Sequence, residues 1–342
     1  MNIQLNHSDV ESIGRFVADH PQANLGHDPR WMRVMSDGLG HRPFSLSAWD
    51  GKQVIGWLPL AETSSVLFGR HLVSLPYLNE GGVLADDPQV GAALVAEAGR
   101  IAKQRGARFV ELRHRTLCNV PGLIPTRSDK MRMTLKLNAG SDELWTSIPS
   151  KVRNQIRKGQ GRNFQVIFGG AELIDAFYRI FAVNMRDLGT PVFPRSLFAA
   201  MLDQFPQQAE ICLLRHQNID VASAILVSQG SITEVPSASC LRAYQSKCAN
   251  MLMYWKLLER AIERGSTVFD FGRSSEGCGT WQFKRQWGAL PEPTGWQQWS
   301  IAPNCKPITK EDQGFGLATR LWRHLPVWLT RLIGPSIVRG IP

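Results

Sequence analysis

Five cations, Lys151, Arg153, Arg157, Lys158 and Arg162, crowd the stretch SKVRNQIRKGQGR, and no Asp or Glu occurs between Trp145 and Ala171. Ser150 reads as an N-cap and Gly159 and Gly161 as stops, so the spacing predicts a two-turn helix from Lys151 to Lys158 with Val152 and Ile156 as a thin apolar stripe. Arg157 and Lys158 complement the negative end of the helix dipole by about 0.3–1 kcal/mol. Lys151 and Arg153 stand at the opposing end, and the like-charge Arg153/Arg157 spacing costs about 0.2–0.5 kcal/mol. A solvated face accounts for the first pair. A bound anion accounts for all five, because charge-assisted hydrogen bonds to phosphate are worth about 1.5–3 kcal/mol each. The phosphate could belong to a nucleotide, a tRNA backbone or a lipid headgroup.

A second constellation, FDFGRSSEGCGTWQFKRQWG (269–288), sets an acid, several cations and four glycines directly behind a predicted strand. Strand ends and the loops beyond them are where an α/β sheet places its chemistry, which makes Lys284, Arg273 and Asp270 candidate site residues, with Asp187 further off in the chain. Asp270 reads equally as a strand-end ion pair with Arg273. Alternation puts Phe269, Phe271 and Arg273 on one face and Asp270 with Gly272 on the other. In NMRDLGTPVFP (184–194), Asn184, Arg186 and Asp187 project from the last turn of a helix ending at Gly189, as a site lip or, for Asp187, as a cap. Tyr254 and Trp255 lie on a long helix as core or site lining, and Trp287 is expected to cover the site. The segment has no Walker A, dinucleotide or GxSxG pattern.

The elements that must hold these groups recur. A hairpin over 43–63 turning at Asp50-Gly51, further strand over 71–86, a helix from Asp87-Pro88 to Gly106 and a strand over 108–113 are echoed by a hairpin over 210–228, a strand over 231–240, a helix from Ala249 to Gly265 and a strand over 267–273. Arg105-Gly106 and Arg264-Gly265 align at a constant offset, 264 − 105 = 159. Two copies of one α/β unit are expected, divided near PGLIPTRSDK (121–130).

The 342 residues, 43% hydrophobic and 20% charged, describe a packed globular chain, and a net charge of +10 favours anionic partners. The six cysteines form no CxxC pair, so no metal site or disulfide framework is expected. Neither a signal peptide nor an apolar run of about 18 residues is visible, which predicts a cytoplasmic protein. The tail over 316–342 carries Leu317, Leu321, Leu325, Trp328 and Leu332 on one helical face with arginines elsewhere and no acid. It either packs on the body or lies at the inner face of an anionic membrane. Pro326 should bend or split it.

Taken together, SKVRNQIRK (150–158), NMRDLGTP (184–191), NMLMYW (250–255), FDFGRS (269–274) and FKRQWG (283–288) resemble the FemAB-related proteins of exopolysaccharide and exosortase (PEP-CTERM) gene clusters. These fall in the GNAT-like group that includes the Fem-type peptidoglycan aminoacyltransferases. The resemblance covers most of the chain, most strongly from about residue 131 onward. It implies an α/β fold of mixed sheets: one GNAT-like domain over 1–128, a second over 129–304 carrying the active site, and an amphipathic tail over 305–342. It also implies acyl transfer to an amine of a cell-envelope saccharide, exopolysaccharide or peptidoglycan precursor, with acyl-CoA or aminoacyl-tRNA as donor and no metal. Phe283-Lys284 matches a Phe-Lys pair whose lysine handles the transferred ester in the peptidoglycan enzymes. The implied site joins Lys284, Asp270 and Asp187 as catalytic groups and Lys151, Arg153, Arg157, Lys158 and Arg273 as binders of an anionic carrier (CoA, tRNA, or a lipid-linked or nucleotide sugar). Asn184, Arg186, Tyr254, Phe283 and Trp287 would contact substrate. The Q/R-x-x-G-x-G/A loop of ordinary GNAT enzymes is missing, since Ile156 precedes Gly159 and Ser274 precedes Gly277. Two other readings stand beside this one, a non-catalytic RNA- or tRNA-binding module and a membrane-peripheral scaffold for polysaccharide assembly.

Overall fold

A computed structural model describes residues 1–65, 69–126, 130–137, 140–300 and 315–341. In chain order the first half contains β1 (Asn2–Leu5), α1 (Val10–Asp19), the single turn α2 (Trp31–Arg33), β2 (Arg42–Asp50), β3 (Gln53–Ser65), β4 (Gly69–Val73), β5 (Leu84–Ala85), α3 (Pro88–Gln104), β6 (Phe109–His114) and β7 (Leu123–Pro125). It continues with β8 (Lys130–Lys136), α4 (Ser141–Ser147), α5 (Ser150–Gln160), β9 (Gln165–Gly169), α6 (Ile174–Leu188), α7 (Arg195–Gln204), β10 (Ala209–His216), β11 (Ile219–Gln229), β12 (Ile232–Cys240) and α8 (Ala249–Glu263). Last come β13 (Val268–Ser275), α9 (Gly279–Arg285), β14 (Leu290–Pro293), β15 (Gly295–Ser300), α10 (Phe315–Trp322) and α11 (Val327–Arg339).

These build two sheets. One runs β1-β2-β3-β4-β6-β15-β7 with β5 on β3, and the other runs β14-β8-β13-β12-β11-β10-β9. Each contains a parallel pair, β4 with β6 and β12 with β13, joined through a long helix. The repeat extends to single bonds. Ala107 N–H donates to Ala102 O and Ser266 N–H to Ala261 O, both at 2.9 Å, around Gly106 at φ 64° and Gly265 at φ 78°. Only glycine accepts that left-handed turn without strain, which is why Arg-Gly stands at both places.

The expected second domain, 129–304, is corrected at its end. β15 pairs with β6 and β7 of the first sheet, while β8 takes the equivalent place beside β13 in the second. In repeat position β8 and β15 are thus exchanged: β15 leaves the expected second domain for the first sheet, and β8, within Asp129–Glu292, fills the equivalent place in the second. By contacts the chain divides into Met1–Ser128 with Pro293–Gly314 and Pro335–Pro342, and Asp129–Glu292 with Phe315–Gly334. The expected boundaries at 128/129 and 304/305 lie outside the described residues. The expected strand over 71–86 is realised only at its ends, as β4 and β5, because Leu75 and Tyr77 between them take φ of 59° and 76°.

In the second unit, β10 sorts the helices between faces. Cys212 and Leu214 join Val152, Ile156 and Leu252 in one core, whereas Leu213 packs with Ile180 on the other. So α5 and α8 cover one face and α6 the opposite one. The tail is not a separate domain: Pro326 interrupts it, and Thr330 and Gly334 are buried, a Cβ at Gly334 standing 2.9 Å from Val192 N. No helix among the described residues is long and apolar enough to cross a membrane.

Candidate active site

β12 and β13 run side by side only from Ile232↔Val268 to Glu234↔Asp270, then part. β12 continues along β11 to Cys240, and β13 turns toward β8 through a bulge between Asp270 and Arg273. Gly272, at φ 72°, makes that bulge. It is pinned from one side by Asp270, whose Oδ1 accepts from Gly272 N–H at 2.7 Å and whose Oδ2 accepts from Arg132 Nε at 2.6 Å. Arg132 also reaches Glu292 at 3.0 Å, and Thr134 donates to Glu292 at 2.8 Å. Asp270 thus forms an ion pair with Arg132 across the ladder. Arg273 stands opposite Arg132 in the ladder, which places it on the face of Asp270, not that of Phe269 and Phe271. The bulge has broken the alternation.

From the other side the bulge is held by Lys284. Its Nζ donates to Gly272 O and Arg273 O, each at 3.1 Å, and the residue is 8% exposed. Burial brings its pKa down to about 8, against the opposing pull of Asp270. An ammonium has three N–H donors, and these bonds use two. Beside it Tyr254 packs 4.9 Å from the Phe283 ring, 5.7 Å from Phe271 and 6.2 Å from Trp287. Burial pushes the Tyr254 hydroxyl well above its ordinary pKa. Trp287 is 1% exposed and so is a wall of the core rather than a cover.

α5 begins at Ser150 with Pro149 in the cap position and no side-chain cap, and it continues through Gly159 to Gln160. Gly159 is a contact, not a stop: a Cβ there would lie 2.9 Å from Leu252 Cβ and 3.0 Å from Cys248 O. That brings the last turn of α5 against the start of α8, where the N-cap residue Cys248 makes no side-chain cap and the positive end of the helix dipole lies. Arg157 lies 5.3 Å from the Trp145 ring. Lys151 and Arg153 are about 10 and 7.5 Å of helix axis from Lys158. Among the described residues none of the five enters an ion pair. On the opposite face, Asp187 pairs with Arg186 at 2.7 Å and Arg242 at 3.4 Å, and the helix is closed by Gly189 at φ 75° instead. Arg242, in the turn after β12, ties Asp187 to the far end of that strand. Lys284 and Arg273 thus meet at the bulge of β13, whereas Lys158 lies on α5 and Asp187 with Arg242 on the other face. Lys151, Arg153 and Arg157 are likewise spread along α5.

Residues 149–285 match the family model described as an acetyltransferase (GNAT) domain. The structure of FemX superposes with a TM-score of 0.70 at 16% identity, covering 88% of this chain and 98% of that one. A tandem GNAT protein from the clavulanic acid biosynthesis pathway gives 0.56 at 12% identity, covering 89% and 100%. The C-terminal domain of a putative lysylphosphatidylglycerol synthetase from Agrobacterium fabrum gives 0.56 at 12%, covering 92% and 96%. The fold is a tandem GNAT fold. No curated protein matches the chain in sequence.

Within the tandem GNAT fold the parting strands and the helix between them belong to the second unit's repeat, and Lys284 follows on α9. Sequence reasoning missed Arg132, Thr134 and Glu292, which fix the bulge under Lys284. They lie 138 to 160 residues from the groups they hold or are held by, and no local pattern links them. Among the described residues no group of three or more His, Cys, Asp or Glu side chains could hold a metal.

Proposed function

We propose that the chain is an N-acyltransferase of the Fem/GNAT type that moves an acyl or aminoacyl group to an amine of a cell-envelope saccharide, exopolysaccharide or peptidoglycan precursor. The donor is acyl-CoA or aminoacyl-tRNA, and the chain stands with the FemAB-related proteins of exopolysaccharide and exosortase clusters, working in the cytoplasm. The observation that carries this reading is Lys284, buried, held by two carbonyls at the parting of the parallel strands, with one N–H left to give. Charged at neutral pH, it donates to the donor's carbonyl oxygen as the amine attacks and negative charge builds there. The acyl–carrier bond then breaks, the carrier leaves, and the amine's proton passes to solvent. Lys158, Arg162 and the start of α8 receive the carrier's phosphates, with Lys151, Arg153 and Arg157 continuing the cationic strip. Asp270 positions Lys284 through Gly272, because its oxygens already accept from Arg132 and Gly272.

The test offers the purified chain labelled acyl-CoA or aminoacyl-tRNA with amine-bearing envelope precursors. Lys284→Met should lower kcat by about a hundredfold or more with little change in KM. Full activity of that variant overturns the assignment. Turnover of neither donor, together with RNA affinity that falls steeply with salt, would favour a non-catalytic RNA-binding module.

A further inference from the structure

The inner side of the tail is anchored, but its outer side is not. Trp328 and Leu332, one turn apart on α11, are 66% and 69% exposed, and Leu321 on α10 is 61% exposed. Leu188, at the end of α6, is 52% exposed and lies beside Arg323, which donates to its carbonyl at 3.3 Å. Exposed large side chains of this kind are ordinary when single and informative when grouped. Three of them stand on a stretch without acids: residues 315–341 contain Arg320, Arg323, Arg331, Arg339 and His324 and no Asp or Glu. Arg320, Arg323 and Arg331 are exposed on the same two helices, and Arg242, also exposed, donates to the carbonyl of Asp187 next to Leu188 in the chain.

Exposed Trp and Leu side chains sharing acid-free helices with exposed arginines are the pattern of a surface that sits at the boundary between lipid headgroups and chains. The indole and leucines enter the interface while the guanidinium groups meet lipid phosphates. A protein partner covering the same surface would have to bring several acids, whereas an anionic bilayer presents them everywhere.

We infer that α10 and α11 dock the protein on an anionic membrane surface through Leu188, Leu321, Trp328 and Leu332. The inference is independent of the acyl-transfer reading, since it concerns where the molecule sits and not what it catalyses. It is tested by sedimenting the full chain with vesicles of mixed phosphatidylglycerol and phosphatidylcholine, and of phosphatidylcholine alone. Binding is expected to the anionic vesicles, to weaken with salt, and to fall by more than about tenfold in a Trp328→Glu/Leu332→Glu variant. Both side chains are exposed, so circular dichroism and melting temperature should stay unchanged; an Arg320→Gln variant, compared at low salt, should show a smaller loss. Binding to neither vesicle overturns the inference, as does binding that the double variant retains. A concentration-dependent dimer that the double variant abolishes without vesicle binding would reassign the surface to a second copy of the chain and equally overturn the inference.

Discussion

Burial lowers the pKa of Lys284 to about 8. The side chain therefore releases its proton near that pH in the folded chain and only at the ordinary lysine value when unfolded. Between those values the unfolded chain binds more protons, so the stability associated with this group rises with pH across the window. A comparison of melting temperature from pH 7 to 10 should therefore show wild type gaining on Lys284→Met. Activity, which needs the charged form, should fall as pH passes about 8. Arg132 gives a sterner test. Arg132→Met strips a buried ion pair of one partner, which costs about 3–5 kcal/mol, measurable as a lower urea midpoint. Of these two residues only Lys284 was legible, through its Phe-Lys context. Arg132 is an ordinary basic residue in a strand until β8 is laid against β13.

Helices and strands were largely legible where turn chemistry marked them: Asp87-Pro88 opening α3, Gly51 turning β2 into β3, Gly106 and Gly265 closing the two long helices. Glycines with another purpose misled. Gly159 reads as a stop by local rule, yet it lets α5 meet α8, a distant contact that overrides propensity. Gly159→Val should force the helices apart and destabilise the chain by about 1–3 kcal/mol, whereas the same change at exposed Gln160 should be within about 0.5 kcal/mol. Gly272 likewise ends the alternation that would have placed Arg273 with Phe271. A bulge is invisible to a period-2 reading unless its glycine is already known to have positive φ.

At the scale of the molecule, the duplication was visible in element order, and the strand exchange was not. A repeat is a property of sequence, but the choice between β15 and β8 for the place beside β6 is made by pairing alone. The exchange predicts that Met1–Ser128 made by itself lacks an interior strand and fails to give a cooperative melt. Adding a peptide spanning residues 293–300 should restore strand signal by circular dichroism.

The same exchange has a consequence for biosynthesis. β6 leaves the ribosome with one margin unsatisfied, and its partner Gly295–Ser300 follows only after nearly the whole second unit has been translated. At about 5–20 residues per second, that margin stays open for some ten seconds or longer, a template for pairing with other nascent chains. The later half must then mature while the earlier one waits, and slowing translation in that interval should raise aggregation in the cell more than it would for a protein whose halves close in turn.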